Sequence, residues 1–360
     1  MSEQPLAQGP VSSGGGTLKR RGATVVVGAV LVILLTVLVG RAPVPYVLLE
    51  PGPTYNTLGQ DDQQHDIIVI DGAPTSNSAG QLRFLTVGVV SQLTLLDAVR
   101  GWLAGDDAVV PRELIFPADQ SEEQVNQQNA EAFQTSLSDA QLAALNQLGY
   151  VPLVAIKEVN PDSPNASLIK AGDVITAVNG TPVDGDANKL LEAIRAQPVG
   201  STLTFAITRD GAPQTVQVVT YDSGGDGVPR VGFTPEVRSS APFTITFSIE
   251  GIGGPSAGMM LALGILDKLD PVDLTGGRII AGTGTINPRG DVGPIGGLPQ
   301  KMVAAKAVGA TIFLTPKANC AEAVANAKPD LMLVQVSTLS EALDALATIR
   351  DGGTPTLCTG

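Results

Sequence analysis

Two stretches of the chain carry residue types that can do hydrolytic chemistry. In the first, glycines at 251, 253 and 254 lead into Pro255 and Ser256, and a run of Ala, Met and Leu with helical character follows at once. Such glycines permit a tight loop, and a serine at a helix start lies beside amides that have no intrahelical acceptor. Those amides can hold the oxyanion of a tetrahedral intermediate. A serine that only caps the helix satisfies the same pattern. In the second stretch, RIIAGTGTINPRGDVGPIGGLPQKMVAAKAVGATIFLTP at 278–316, a strand and turn precede a helix opened by Pro299, with Lys301 in its first turn. The start of a helix is the unfavourable end for a positive charge, and desolvation lowers the lysine pKa further. A lysine so perturbed accepts a proton from a hydroxyl with no histidine present. An ordinary solvated lysine fits the same spacing, and local physics leaves both readings open.

Composition removes the rival chemistries. The chain of 360 residues has one histidine, His65, and two cysteines, Cys320 and Cys358. This set cannot supply a zinc site of the usual nitrogen and sulfur kind, and a Ser-His-Asp triad would rest on His65 alone. No GxxxxGK[ST] string occurs, so proteolysis by this polypeptide would be independent of ATP. A formal charge of −13, with basic residues clustered only at Lys19, Arg20 and Arg21, opposes nucleic acid as a partner. No metal and no cofactor are expected.

The elements that position the two stretches fall into a multidomain order. Residues 1–22 read as a cytoplasmic disordered tail. The uncharged run 23–40, ATVVVGAVLVILLTVLVG, reads as a transmembrane anchor. Its flanking charges favour a cytoplasmic N-terminus, placing the rest of the chain outside the cell membrane. A cleaved signal peptide is the alternative. Residues 41–147 read as a small β-rich module with a helical connector, in which Ser138 is a candidate N-cap. Residues 148–222 alternate short strands and turns around one helix-like stretch, NKLLEAIRAQ. GGDG at 224–227 reads as a linker to a domain over 232–350, with a tail at 351–360. An exterior location permits a disulfide, and Cys320 and Cys358 are the candidates; two free thiols are the alternative. Ser167-Leu168-Ile169-Lys170 is an SxxK string, but it has no SDN or KTG companion.

The string SPN at 163–165, followed by AGDVITAVNG at 171–180, resembles the pattern of bacterial PDZ domains over roughly 75 residues and accounts for the SxxK string. The resemblance implies a groove that takes an extended chain end, with a carboxylate loop at Gly149, Tyr150 and Val151 or, counted back from Ser163, near Leu153 and Val154 after Pro152. GPSAG at 254–258 is similar to the Lon nucleophile motif, and TGTI with GPIGGLPQKMVAA at 283–305 is similar to Lon's second block. Carried over by position, this implies Ser256 as nucleophile, Lys301 as general base and Thr283 as the hydroxyl that orients the lysine. It also implies an α/β proteolytic domain and homo-oligomers, commonly rings. Gly253 stands where many Lon proteins have an acidic residue, and their ATPase domain has no counterpart here.

Taken together, the expected fold is multidomain: an N-terminal transmembrane helix, a small mixed β-rich and helical module, a PDZ-like domain and an α/β Lon-type proteolytic domain. The whole looks like the membrane-bound PDZ and Lon-domain proteases of bacteria. The function this implies is an extracytoplasmic serine endopeptidase acting on protein or peptide substrates, with the PDZ domain recruiting or gating them. A catalytically silent scaffold and a Ser-Lys amidase are the competing readings.

Overall fold

Apolar, β-branched runs at Ile279–Gly282, Ile312–Pro316 and Met332–Val336 form neighbouring parallel strands, with Gln81–Val90 parallel on the far side of Ile279–Gly282. The structure, a computed structural model, describes residues 16–61 and 63–360, with side chains from residue 24 onward. Parallel neighbours need a crossover, and the chain supplies a helix each time: Leu298–Ala307 before the second of these strands and Cys320–Ala325 before the third. Strands covered on both faces are apolar throughout, and Ile312–Pro316 is buried at every position.

The chain divides into two compact units, residues 1–50 with 88–119 and residues 51–87 with 120–360. In the first unit, the start of strand Tyr46–Asn56 pairs antiparallel with Ala108–Pro111. Helix Leu95–Leu103 opens on a capping box made by Thr94 and Asp97.

The second unit holds everything that bears on the chemistry. Helix Gly258–Leu269 is apolar on all sides, and its residues 258–267 are buried. It packs against the long helix Glu122–Gln147 so closely that a Cβ on Gly258 would stand 2.7 Å from Ser136 Oγ. The long helix is continuous where the sequence marks a break at Ser138. Its N-cap is Ser121, in a capping box with Gln124. The Ser138 hydroxyl instead donates back to the Gln134 carbonyl, an arrangement a helix tolerates.

A six-stranded antiparallel sheet follows, with Phe233–Ser239, Pro152–Val159, Val174–Val178, Thr202–Arg209 and Ala212–Val219 in that order and the short strand Thr181–Pro182 paired to Val174–Val178. Helix Ala187–Arg195, capped by Asp186, buries Leu190 and Ile194 against it. Asp173, almost fully buried, accepts a two-pronged hydrogen bond from Arg209 and ties the turn before Val174 to the sheet. The 222–230 segment folds back on itself: Asp222 accepts from the amides of Gly224, Gly225 and Gly227, and Tyr221 bridges to Arg230. Strand Phe233–Ser239, which the sequence groups with the domain that follows, therefore returns to the sheet that precedes it.

The N-terminal expectation is corrected. The run 23–40 is helical, within Gly16–Gly40, but among the described residues no helix is long and apolar enough to cross a membrane. The described residues thus do not provide a transmembrane element, and the single-pass, extracytoplasmic placement that rested on it goes with it. Of the tail expected over 1–22, residues 1–15 lie outside the described residues and the remainder falls in this helix.

Cys320 and Cys358 are joined, with their Cα atoms 5.0 Å apart. The bond ties the C-terminal tail to helix Cys320–Ala325, and the tail also runs along Met332–Val336, where the Cys358 amide donates to the Leu333 carbonyl. Opening a loop with a sequence separation of 38 removes roughly 3–4 kcal/mol of chain-entropy stabilisation in the idealised treatment. A Cys358→Ser variant is therefore expected to melt at a lower temperature than the oxidised parent, and to match the parent in reductant. Equal melting of variant and oxidised parent would show that the crosslink is energetically idle.

Candidate active site

Ser256 lies two residues before helix Gly258–Leu269, whose N-cap is Ala257 and carries no side-chain cap. The serine is thus not the cap that the sequence left as an alternative. Its hydroxyl turns to Lys301, with Nζ 2.8 Å from Oγ. Thr283, directly after the carboxyl end of strand Ile279–Gly282, places Oγ1 3.2 Å from the same Nζ. The Thr283 hydroxyl donates to the Ser256 carbonyl at 3.1 Å, which leaves an oxygen lone pair for the lysine. The Gly284 amide donates to that carbonyl too, at 2.9 Å. Three segments far apart in sequence are thereby tied into one constellation. It sits at the carboxyl end of a parallel strand, where open α/β sheets generally place their sites.

The lysine is in an unusual state. It is 3% exposed, and among the described residues no carboxylate pairs with it. Burial lowers its pKa from 10.5 to about 8. An unpaired buried amine is costly to charge, so desolvation drives it toward the neutral form. Nζ donates to Ser256 Oγ and to Thr283 Oγ1; in the neutral amine its lone pair could instead accept from the Ser256 hydroxyl.

The lysine is held there by backbone geometry. Helix Leu298–Ala307 starts from Gly297, which has a left-handed φ of 66°, and the Lys301 amide donates to the Gly297 carbonyl. A Cβ on Gly297 would lie 2.6 Å from Val87 Cγ2. Both the conformation and the space therefore call for glycine.

The loop before Ser256 is clamped by a helix that the sequence offered only as a connector. The Gly254 amide donates to the Asn129 carbonyl at 2.8 Å, and Ser136 Oγ donates to the Pro255 carbonyl at 3.1 Å. A Cβ on Gly253 would approach Asn129 Cβ to 3.0 Å, which accounts for a small residue where many Lon proteins have an acid. Asn129 and Ser136 had no signal in the sequence, because a Gln- and Ala-rich helix has no motif that marks which residues face a loop 119 residues further on. Around the dyad lies a cavity of about 410 Å³, walled by Tyr55, Phe84, Val87, Ile252 and Pro255 among others. His65 pairs with Asp61 and takes no part in that wall. Among the described residues no cluster of His, Cys, Asp or Glu is placed to hold a metal ion.

The five residues expected to line a peptide groove are not near Ser256. Gly149 and Tyr150 donate their amides to the Asn146 and Leu145 carbonyls and so close the long helix. The Val151 amide donates to Ser240 Oγ at 3.0 Å. Leu153 and Val154 lie in strand Pro152–Val159, with Val154 fully buried.

Comparison with known proteins separates the two domains. The PDZ domain family model matches residues 131–220, and that of the Lon protease (S16) C-terminal proteolytic domain matches residues 251–348. A PDZ domain and a Lon-type proteolytic domain are both present. Lon protease 2 of Bacillus subtilis is 37% identical over 97 residues, covering 26% of this chain and 17% of that protein. The periplasmic serine endoprotease DegP of Escherichia coli is 41% identical over 78 residues, covering 20% of this chain and 15% of that protein. The chain thus spans about a sixth of the length of each. Among solved structures, the PDZ domain of the SdrC-like protein of Listeria monocytogenes is 23% identical and covers 23% of this chain and 85% of that one, with a TM-score of 0.22.

Substituting Gly297→Ala is expected to cost about 1–3 kcal/mol through strain and to shift Lys301, lowering any hydrolytic activity more than about tenfold. Thermal melting and turnover measured on the same preparation test this. Unchanged values for both would mean that Gly297 does not set the lysine.

Proposed function

We propose that the chain is a serine-type endopeptidase in which Ser256 and Lys301 form the catalytic dyad and no nucleotide is used by the chain's own residues. The observation that supports it most is the 2.8 Å approach of a buried lysine, without a counter-ion, to the hydroxyl of Ser256. In this reading neutral Lys301 takes the Ser256 proton as Oγ attacks the scissile carbonyl carbon, and the resulting ammonium is steadied by Thr283 Oγ1. The ammonium returns the proton to the leaving amine as the C–N bond breaks. A water then enters, gives its proton to Lys301 and attacks the acyl-enzyme; the proton passes back to Ser256 as the acid product departs.

The oxyanion formed in each half belongs near the backbone amides of Ser256 and Ala257, at the start of helix Gly258–Leu269. The walls formed by Tyr55, Val87 and Ile252 favour an apolar substrate side chain beside the scissile bond. The substrates are proteins or peptides, and homo-oligomers of the chain are part of the proposal.

In the purified full chain, Ser256→Ala and Lys301→Ala are each expected to lower cleavage of an unfolded protein by about 10³-fold or more. Thr283→Val, which keeps the volume, is expected to cost about 10- to 100-fold through the lost hydrogen bond to a charged group. Equal cleavage by parent and Ser256→Ala would sink the proposal.

The pH profile follows from the state of the base. The working form of Lys301 is the neutral one, and its pKa is about 8. Activity should therefore rise with pH through about 8, gaining about tenfold between pH 7 and a plateau above pH 9. A profile that is flat from pH 6 to pH 9, or that falls, would exclude a lysine base of this pKa.

A further inference from the structure

Strand Phe233–Ser239 is the outer strand of the PDZ sheet, paired to Pro152–Val159 on one side and open on the other. PDZ domains add an extended chain end at such an edge and capture its carboxylate on backbone amides. Helix Ala187–Arg195 packs beside that strand, and a cavity opens at each end of the pair. One, of about 560 Å³, is walled by Ile194 and Arg195 of the helix and by Phe233 and Thr234 of the strand. The other, of about 510 Å³, is walled by Ala187 and Asn188 at the start of the helix and by Val237 and Ser239 toward the end of the strand.

The amides set the direction of an added chain. Beside the first cavity Gly232 has a left-handed φ of 81°, and the Val231 and Gly232 amides donate to no acceptor among the described residues, the form of a nest for a carboxylate. At the other end the Gly149 and Tyr150 amides close the long helix, and the Val151 amide is bonded to Ser240 Oγ. A chain end added with its carboxylate at Gly232 runs antiparallel to Phe233–Ser239, with its upstream residues toward Ser239. At about 3.3 Å per residue, side chains about four to six positions before the last one reach the second cavity.

The second cavity belongs to both domains. Its far wall is the turn Asn287–Arg289, between the paired strands Thr285–Ile286 and Val292–Gly293, and this hairpin joins Thr283 to the helix that carries Lys301. Both cations on the wall are matched: Lys189 is bonded to Asp184 at 2.7 Å, and Arg289 pairs with Asp291 at 3.4 Å. Asp186 accepts from the Asn188 amide and caps the helix. Asp139 of the long helix stands half-buried in the wall, and among the described residues no cation pairs with its carboxylate. Burial pushes that carboxyl above its usual range, so an incoming cation would relieve an existing cost. We infer that this cavity is a second binding subsite, in which Asp139 takes a lysine or arginine side chain from the upstream part of a chain end held at the PDZ edge. The bound chain is thereby laid against the hairpin between Thr283 and Lys301. This deepens the recruiting role of the PDZ domain and rests on the proposed protease only for the fate of that chain.

The probes are two nine-residue peptides with a fluorophore at the N-terminus and a free carboxyl-terminal valine. One carries lysines at the three positions that reach the second cavity, the other alanines, and each is also made as the terminal amide. Anisotropy with the full chain carrying Ser256→Ala measures binding whether or not Ser256 is the nucleophile. The lysine peptide is expected to bind about tenfold more tightly than the alanine peptide, and both to lose affinity as amides. Asp139→Asn, which removes a carboxylate that no cation holds, is expected to cut the lysine advantage to about twofold, with the melting temperature and the affinity for the alanine peptide unchanged. Arg289→Ala, at an exposed turn, is expected to widen the advantage about twofold by removing a like charge. Equal affinity of the parent for the two peptides would overturn the inference. So would a lysine advantage unchanged by Asp139→Asn or by Arg289→Ala, or an absence of carboxylate-dependent binding. A fall in sedimenting mass caused by Asp139→Asn would overturn it as well, by placing a second copy of the chain in the cavity. Cleavage of an unfolded protein that survives Ser256→Ala would count against the protease and leave the subsite standing.

Discussion

A primary amine held out of water without a counter-ion is the constraint on which this structure turns. Charging Lys301 at 3% exposure is expensive, and among the described residues no opposite charge pairs with it to offset the cost. The fold therefore places the amine where its neutral form is useful, against a serine hydroxyl on one side and a threonine hydroxyl on the other. In the proposed mechanism, burial that would be a plain liability elsewhere is what lets the lysine serve as a base.

Keeping that amine buried requires several layers to agree. The crossover helix must start at Gly297 with a left-handed φ, and the loop before Ser256 must be pressed from behind by the long helix through Asn129 and Ser136. Helix Gly258–Leu269 must be apolar all round, because it is packed between that long helix and the sheet. Positioning therefore comes from helix contact and backbone conformation, while the charged surface has little part in it. The long helix also ends at the Gly149 turn, and so connects the packing behind the nucleophile to the start of the PDZ sheet.

The PDZ sheet follows a different logic. Its strands are bound by antiparallel ladders and by a buried Asp173–Arg209 pair, and Phe233–Ser239 stands at its edge, with Phe233 and Val237 packed into the domain core.

Much of this was legible in the residues. Glycines before Pro255-Ser256 and a lysine at a helix start marked Ser256 and Lys301 as candidates from local conformation, but left their role open, and the resemblance to the two Lon blocks is what singled them out together. The turn dipeptides around Val174–Val178 marked the small sheet for the same reason. The run at 23–40 read as a membrane span from composition, yet among the described residues no helix is long and apolar enough to cross a membrane. What only tertiary structure decided was contact between distant segments: that Thr283 faces both Lys301 and the Ser256 carbonyl, that Asn129 and Ser136 back the loop before Ser256, and that Phe233–Ser239 returns to the preceding sheet. Sequence spacing encodes the period of a helix or strand, but which faces meet is set by packing across the whole unit, and no local pattern carries that information.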